Sequence, residues 1–312
     1  MTMTCDRLYR PRRAAHRRFA IAALSALAVF GLSLGVAPAV TFVTAWGSSG
    51  SGAGQFNYPH GIAVDAHGHV YVTDPGNGRI QEFTSNGRFL RKWGDFGRDP
   101  SEFEDPMDVA VDPQSNDVYV ADTHNSRIQK FTSTGQFLAS WGRFGHKFGQ
   151  FDYPDGAAVN AQGDVYVADT ANQRIQEFTS DGAFVRSFAQ GFPARDIAID
   201  PQGNVYVVEA FGGVVEKFTA DGQLLRHWEG PGQGLDNPRG IAVDAHDHVY
   251  VTDTANNRIE KFTSRGRFLR SWGRRPHGHG RFRNPRGVAV DPQGNVYVTN
   301  AGSDRVKKFS QP

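Results

Sequence analysis

The sequence predicts an all-β fold made of six copies of a four-stranded unit, and three observations lead to this prediction. One segment recurs six times along the chain. Each copy alternates short β-branched runs with turn residues, and strong helix-forming runs are scarce after residue 40. A single strand also stands alone before the first copy. The 312 residues include 36 glycines and 12% aromatic residues, which is a composition typical of an all-β protein with many tight turns.

The repeat is clear when two distant segments are compared. PHGIAVDAHGHVYVTD begins at Pro59, and PRGIAVDAHDHVYVTD begins at Pro238. One Asp or Asn marks each copy, at spacings of 47, 48, 40, 44 and 47 residues. These marker residues are Asp65, Asp112, Asn160, Asp200, Asp244 and Asp291. A period of this length indicates a stacked repeat architecture.

Each copy contains four short strands. In the first copy they are the runs GIAVD, VYVTD, RIQEF and FLRKW. The DPQGN stretch at 200–204 predicts a tight turn between the first two strands, because Pro restricts φ and Gly accepts a positive φ. A lone four-stranded unit cannot bury both of its faces, so we expect the units to pack against one another.

The two ends of the repeat array predict how the units are arranged. The sixth copy stops at Phe309 without a fourth strand, whereas Phe42–Gly47 matches a fourth strand that precedes the first copy. If this strand completes the last unit, the array becomes a ring without exposed sheet edges. The prediction is therefore a single six-bladed β-propeller of four-stranded blades, closed by the N-terminal strand pairing into the C-terminal blade.

Across residues 41–312 the chain resembles the NHL-repeat family. The resemblance rests on the pattern G-x-F-x-x-P-x-G-[IV]-A-V-D, followed by VYV-x-D-[ST]-x-N-x-R-[IV]-x-x-F and G-x-F-x-x-x-W-G. It implies a six-bladed propeller. It does not imply one activity, because NHL-like propellers include RNA-binding modules, a zinc-dependent amidating lyase, receptor-kinase sensor domains and scaffolds.

The first 39 residues have the pattern of an export signal. Six arginines precede an uncharged stretch from Phe19 to Val36, and Ala37-Pro38-Ala39 provides small residues for cleavage. We therefore predict a signal peptide at residues 1–39, a propeller at 40–312 and an exported protein in the periplasm, outside the cell or at its surface. The alternative is a membrane anchor formed by residues 19–39, since the apolar stretch is long enough to span a bilayer.

Removal of this segment changes the charge of the chain. The whole sequence has a net charge of +2, whereas residues 40–312 carry 28 basic and 31 acidic residues. A net charge of −3 argues against nucleic acid as a partner. The only cysteine, Cys5, lies in the signal, so no disulfide is predicted. We expect a monomer.

Residues that recur in every copy are interpreted as structural. Alanines on the innermost strand and aromatic residues on the other three are expected to fill the interfaces between blades. Four Asp–Arg pairs are interpreted as clasps that stabilise loops; they are Asp74–Arg79, Asp122–Arg127, Asp169–Arg174 and Asp253–Arg258. Two His-x-His pairs lie in turns between the first two strands, and we interpret them as surface residues. They are His67/His69 and His246/His248.

Positions where the copies differ are the better candidates for function. Residues that enter the innermost strands are expected to line one mouth of the central channel, and the candidates are His60, Asp108, Asp155, Arg195, Arg239 and Arg286. We predict that the three arginines face the two aspartates and the histidine across the axis and favour a carboxylate, phosphate or sulfate. A basic rim loop is expected to add to this site through Arg274, Arg275, Arg281 and Arg283. The alternative is a solvated loop, with mouth charges paired to neighbouring aspartates.

These observations favour a binding or scaffold module that holds a protein, a glycan or a small anionic ligand. The alternative is a metal-assisted lyase or hydrolase at the channel mouth, and RNA binding fits less well. The resembled amidating lyase builds its zinc site from three histidines near the axis, whereas this sequence has only His60 there. No cofactor is predicted, and a structural or catalytic divalent metal is left open. The fourth copy diverges most, with Glu209 and Val214 in place of the clasp residues, and its role is also left open.

Overall fold

The structure is a computed structural model that describes residues 39–209, 211–274, 278 and 280–311. The predicted signal peptide and the alternative membrane anchor lie almost entirely outside this range. Arg275 of the rim loop also lies outside it. None of the helices in the described residues is both long and apolar enough to cross a membrane.

Six antiparallel sheets of four strands each make up the described part of the chain. Each sheet is called a blade, and its strands are given from the axis outward. Blade one comprises Ile62–Val64, Val70–Asp74, Arg79–Phe83 and Phe89–Trp93. Blade two comprises Pro106–Val111, Val118–Asp122, Arg127–Phe131 and Phe137–Trp141. Blade three comprises Pro154–Val159, Val165–Asp169, Arg174–Phe178 and Phe184–Phe188.

The other three blades follow the same plan. Blade four comprises Ala194–Ile199, Val205–Glu209, Val214–Phe218 and Leu224–Glu229. Blade five comprises Pro238–Val243, His248–Asp253, Arg258–Thr263 and Phe268–Trp272. Blade six comprises Pro285–Val290, Val296–Asn300, Arg305–Ser310 and the N-terminal strand Thr41–Trp46. Short additions are the parallel pair Asp95–Phe96 and Glu102–Phe103 and the 3₁₀ turns Pro75–Asn77, Thr123–Asn125 and Ala301–Ser303.

The predicted ring closure is confirmed. The strand Thr41–Trp46, called the closing strand, pairs antiparallel with Arg305–Ser310. Phe42 lies opposite Phe309, and Trp46 lies opposite Val306. The outer edge of the last blade is therefore covered by a segment that is about 260 residues away in sequence.

Aromatic side chains fill the interfaces between blades, as the repeat pattern predicted. The fourth-strand tryptophan of one blade packs against the third-strand phenylalanine of the next, with ring centroids 6.0 Å apart for both Trp93–Phe131 and Trp141–Phe178. The second-strand tyrosines are almost completely buried in all six blades. These rings stabilise blade stacking and are not available to stack on a ligand.

The Asp–Arg pairs form the predicted clasps in four blades. In blade one the Nε atom of Arg79 donates to Asp74 at 2.8 Å, and its Nη2 atom donates to the carbonyls of Gly52 and Gln55. The guanidinium therefore binds the loop that enters the blade to the turn between its second and third strands. Equivalent Nε bonds of 2.6 to 2.7 Å join Arg127 to Asp122, Arg174 to Asp169 and Arg258 to Asp253.

The two His-x-His pairs lie at the predicted turns between first and second strands, where His248 already begins the second strand of blade five. His69 and His248 each place Nδ1 at 3.0 Å from the marker aspartate of their own turn. No group of three or more metal-ligating side chains is found among the residues that the structure describes.

Candidate functional site

The channel mouth is built from two layers of residues where the innermost strands begin. The outer layer contains His60, Met107, Asp155, Arg195, Arg239 and Arg286. The inner layer contains Gly61, Asp108, Gly156, Asp196, Gly240 and Gly287. Four of the six inner-layer positions are glycines, and Gly240 shows why: neighbouring strands approach so closely that a Cβ atom there would lie 2.4 Å from the carbonyl oxygen of Arg286.

Arg195 and Asp155 form an ion pair between adjacent blades. The Nη1 atom of Arg195 donates to Asp155 Oδ2 at 2.7 Å. The expected contact across the axis is wrong for this pair, because the innermost strands of blades three and four lie side by side and bring the two positions together. Desolvation raises the pKa of Asp155, and Arg195 opposes that shift. This pair neutralises one of the three mouth arginines.

Arg286 and His60 likewise belong to adjacent blades and meet at the junction of blades six and one. Arg286 Nη1 lies 3.4 Å from His60 Nε2, and its Nη2 atom donates to the hydroxyl of Tyr58. His60 Nδ1 lies 2.9 Å from the carbonyl of Met107, so Nδ1 carries the proton and Nε2 accepts. Desolvation, followed by the charges of Arg286 and Arg239, lowers the pKa of His60 well below its usual value. The imidazole is therefore neutral and compensates no charge.

Arg239 lies between these two pairs and has no hydrogen bond or ion pair with any residue that the structure describes. Its Nε atom is buried, as are those of Arg195 and Arg286. Desolvation, and then the charges of Arg286 and Arg195, lower the pKa of Arg239 to about 10. Arg239 stays charged at neutral pH, which leaves the mouth with an excess of positive charge.

Asp108 lies one layer deeper than the predicted arc. Its carboxylate accepts the backbone N–H of Ala157 at 2.9 Å and hydrogen-bonds with Asp196. Asp196 in turn accepts the backbone N–H of Ile241 at 2.9 Å. The prediction that Asp108 faces the arginines is wrong, because its side chain belongs to the glycine layer and follows the channel wall. Asp196 was missing from the candidate residues, although Asp in place of Gly at this position was its signal.

The two inner-layer carboxyl groups share a proton. Desolvation raises the pKa of Asp108 well above its usual value and that of Asp196 to about 7. A second carboxylate so close disfavours ionisation of both groups, so they titrate as a pair. At neutral pH the pair holds at least one proton, which reduces its charge beneath the arginines.

This pair predicts a pH dependence of stability. The raised pKa values mean that the folded chain binds more protons than the unfolded chain between about pH 4 and pH 7. The free energy of unfolding should therefore fall as the pH rises through this window. Asp196→Asn removes the second charge and retains one acceptor and a donor towards Asp108, but its amide nitrogen cannot accept both backbone N–H groups that Asp196 binds, those of Ile197 and Ile241. The variant should therefore melt at a lower temperature than wild type, and its melting temperature should decline less between pH 5 and pH 8. Thermal melts would measure this, with exposed Asp221→Asn as the control; parallel curves for wild type and Asp196→Asn would contradict it.

A side pocket opens beside Arg195 on blades three and four. Its volume is about 450 Å³, and its lining includes Tyr153, Asp155, Pro193 and Phe211. Phe211 is 79% exposed, and the guanidinium of Arg195 lies 5.5 Å from its ring. Phe211 follows the second strand of the divergent blade four, so the divergence coincides with an aromatic wall near the mouth.

The described residues of the rim loop line cavities other than the mouth. Arg281 and Arg283 line one cavity of about 560 Å³ and, with Arg274, a second of about 370 Å³. Neither lining contains any of the six predicted mouth residues. The described rim arginines thus line cavities of their own, and their contribution to the mouth site stays a prediction.

Two family models match separate parts of the chain. Residues 56–83, 235–262 and 282–309 match the model described as NHL repeat. Residues 107–195 match the model described as SMP-30/Gluconolactonase/LRE-like region, and this segment includes Asp108, Asp155 and Arg195. Both matches lie within the six blades.

Known proteins share parts of the sequence and the whole fold. The brain tumor protein of Drosophila melanogaster is 40% identical over 73 residues, which are 23% of this chain and 7% of that protein. The human NHL repeat-containing protein 3 is 42% identical over 55 residues, which are 17% of this chain and 16% of that protein. The matches thus span a small part of these relatives. A streptogramin B lyase superposes with a TM-score of 0.63 at 15% identity over 87% of this chain and 98% of the lyase, a likeness in fold alone.

Proposed function

Because the chain is a six-bladed β-propeller with NHL repeats, we propose that it is a binding module whose channel mouth holds an anionic group of a protein, a glycan or a small molecule. The observation that carries this proposal is Arg239, a partly buried guanidinium between two other arginines without a carboxylate of its own. A buried cation without a counter-ion is unfavourable, and a bound carboxylate, phosphate or sulfate would supply one.

The charge balance of the outer layer supports an anion of at least one negative charge. Three arginines face a single carboxylate, Asp155, which Arg195 already binds. His60 is neutral and accepts from Arg286. The layer therefore has a net charge of about +2, and Arg239 and Arg286 are the groups that would bind the ligand.

The side pocket supports a ligand larger than a simple ion. It lies against Arg195 and Asp155, so a molecule with its anionic group on Arg239 extends towards Tyr153 and Phe211. Exposed aromatic rings beside an ion pair suit a ring-bearing or apolar group. A protein side chain, a glycan or a small molecule would each satisfy this arrangement.

The double variant Arg239→Ala/Arg286→Ala tests the proposal. Mouth binding of inorganic sulfate, phosphate and citrate should weaken at least tenfold, because the two guanidiniums that would bind the anion are lost. Isothermal titration calorimetry would measure this, with Arg265→Ala, an exposed turn residue, as the matched control. If the double variant and the control bind these anions equally well, the mouth is not the anion site.

We also propose that this function is carried out outside the cytoplasm. The support is the basic and apolar pattern of residues 1–39. N-terminal sequencing of the protein recovered from the producing cells would test it. A mature terminus near residue 40 is expected, and an intact cytoplasmic chain would contradict export.

A metal-assisted lyase or hydrolase is the second candidate. It is favoured by the match of residues 107–195 to the SMP-30/Gluconolactonase/LRE-like model and by the neutral imidazole of His60 at the mouth. A neutral imidazole is the form of histidine that binds metal ions. Metal analysis of the purified protein would separate the candidates, since stoichiometric zinc or calcium lost in a His60→Ala variant favours the enzyme.

A further inference from the structure

One position of the clasp differs in blade five. In blades one to three the third strand has a completely buried glutamine there, and these residues are Gln81, Gln129 and Gln176. Each donates from Nε2 to the clasp aspartate and to a carbonyl of the loop that enters the blade. Each also accepts a backbone N–H of that loop through Oε1. Blade five has Glu260 instead, and an ionised carboxylate accepts hydrogen bonds but cannot donate them.

Glu260 is completely buried, and its carboxyl group has no hydrogen-bond donor. Neither Oε1 nor Oε2 accepts a hydrogen bond from any residue that the structure describes. Arg258 Nη2 lies 2.7 Å from Oε1, which is an ion-pair contact without hydrogen-bond geometry. A Cβ atom on Gly230 would lie 2.8 Å from Oε2, so the loop backbone packs directly on the carboxyl group. A buried carboxylate without hydrogen bonds is in an unfavourable environment.

The replacement weakens the attachment of residues 230–236, called the blade-five entry loop. In each of blades one to three the clasp arginine donates to three carbonyls of the equivalent loop, at 2.6 to 3.0 Å. Arg258 makes one such bond among the described residues, to the carbonyl of Gly234 at 3.3 Å. Its Nη2 atom lies closer to Glu260. The guanidinium that binds the loop in other blades is therefore drawn towards a carboxylate in this one.

We propose that Glu260 is a pH-sensitive switch for the blade-five entry loop: the neutral acid binds the loop, and the carboxylate releases it. A protonated Glu260 has one O–H donor and one remaining acceptor oxygen, which resembles the donor and acceptor set of the glutamine in blades one to three. Its O–H can donate to the carbonyl of Gly234, the equivalent of the Gln55 carbonyl that Gln81 binds. The neutral acid also attracts Arg258 less strongly, which leaves the guanidinium to bind the loop carbonyls.

The surroundings of Glu260 place the change near neutral pH. The charged groups that face it are Arg258 on its own strand and Asp253 on the second strand, while Ser271 lies opposite on the fourth strand. The charged residues next to and within the entry loop are exposed, and they are Glu229 and Asp236. Desolvation raises the pKa of Glu260 to about 7; Arg258 opposes this shift and Asp253 adds to it. The loop is therefore expected to be bound below about pH 6 and released above about pH 8.

Glu260→Gln provides the test, because it restores the residue of blades one to three and removes the group that titrates. Amide hydrogen exchange of the full chain would be compared between wild type and variant at the same pH, so that the intrinsic pH dependence of exchange cancels. The ratio of wild-type to variant exchange rates in residues 230–236 should be near one at pH 5.5. It should rise at least about fivefold by pH 8.5, since the ionised wild-type residue no longer binds the loop.

Glu216→Gln is the matched control. Glu216 occupies the equivalent position in blade four, where Val214 replaces the clasp arginine, so the control should leave exchange in residues 230–236 unchanged at every pH. A ratio that stays constant from pH 5.5 to pH 8.5 would overturn the proposal.

A second measurement uses the wild-type chain alone. The side-chain carboxyl carbon of Glu260, followed by carbon-13 NMR, should titrate with a midpoint near pH 7, and a midpoint below about pH 5 would also overturn the proposal. No anion takes part in either measurement, so the results are independent of whether the channel mouth binds one.

Discussion

A chain that begins at residue 48, and so lacks the closing strand, is expected to melt at least about 10 °C below a chain that begins at residue 39. The closing strand covers the outer edge of blade six through pairs such as Phe42 with Phe309. It also places Trp46 between two blades, with ring centroids 5.9 Å from Phe83 and 6.3 Å from Tyr297. Loss of a core tryptophan costs about 3–5 kcal/mol; Trp46 is only partly buried, so its own share is smaller, and the loss of strand pairing adds to it.

Thermal melts followed by circular dichroism would measure the difference. Trp93→Ala in the chain that begins at residue 39 is the matched control, because Trp93 makes the equivalent contact with Phe131 inside the ring. The control loses one interface aromatic and keeps the ring closed. We expect the truncation to be the more damaging change and to promote aggregation, since it exposes the edge of Arg305–Ser310. If the chain that begins at residue 48 melts at the same temperature as the chain that begins at residue 39, closure does not stabilise the ring.

Asp74→Ala is expected to lower the free energy of unfolding by about 3–5 kcal/mol. Asp74 is completely buried and accepts four hydrogen bonds, from the backbone of Asn57 and the side chains of Asn77, Arg79 and Gln81. Desolvation raises the pKa of Asp74, and these donors oppose that shift. Removal of the carboxylate leaves a buried guanidinium without its counter-ion, which is the costly state.

Glu209→Ala is the matched control for the clasp. Glu209 occupies the clasp position of blade four, where Val214 stands in place of the arginine, so its removal leaves no cation unpaired. We expect a loss below about 1 kcal/mol for the control. Chemical denaturation would measure both values, and the double variant Asp74→Ala/Arg79→Met should recover part of the loss because no buried charge remains. A loss for Asp74→Ala no larger than that of the control would contradict the stabilising role.

The candidate site was only partly predictable from the sequence. The alignment of the six copies identified the outer-layer residues, because the start of the innermost strand lies at the channel in every blade. It did not predict that Arg195 binds Asp155 on the adjacent blade or that Asp108 binds Asp196. These pairings depend on which residues of neighbouring strands lie side by side. Tyr58 was missed as a candidate because it stands outside the aligned strands, whereas Phe211 belongs to the divergent fourth copy, whose role the sequence left open.

The sequence by itself determined the six blades and the ring closure, because period, alternation and turn residues are local properties that repeat along the chain. It also determined the clasps, since each pairs residues only five positions apart. Only the tertiary structure decided which charges are compensated. Arg239 differs from the clasp arginines because it forms no hydrogen bond or ion pair with a carboxylate among the described residues. The side chains around Arg239 come from distant segments that the ring brings together. Electrostatic energy depends on distances in space, so the sequence alone does not reveal which charges are compensated.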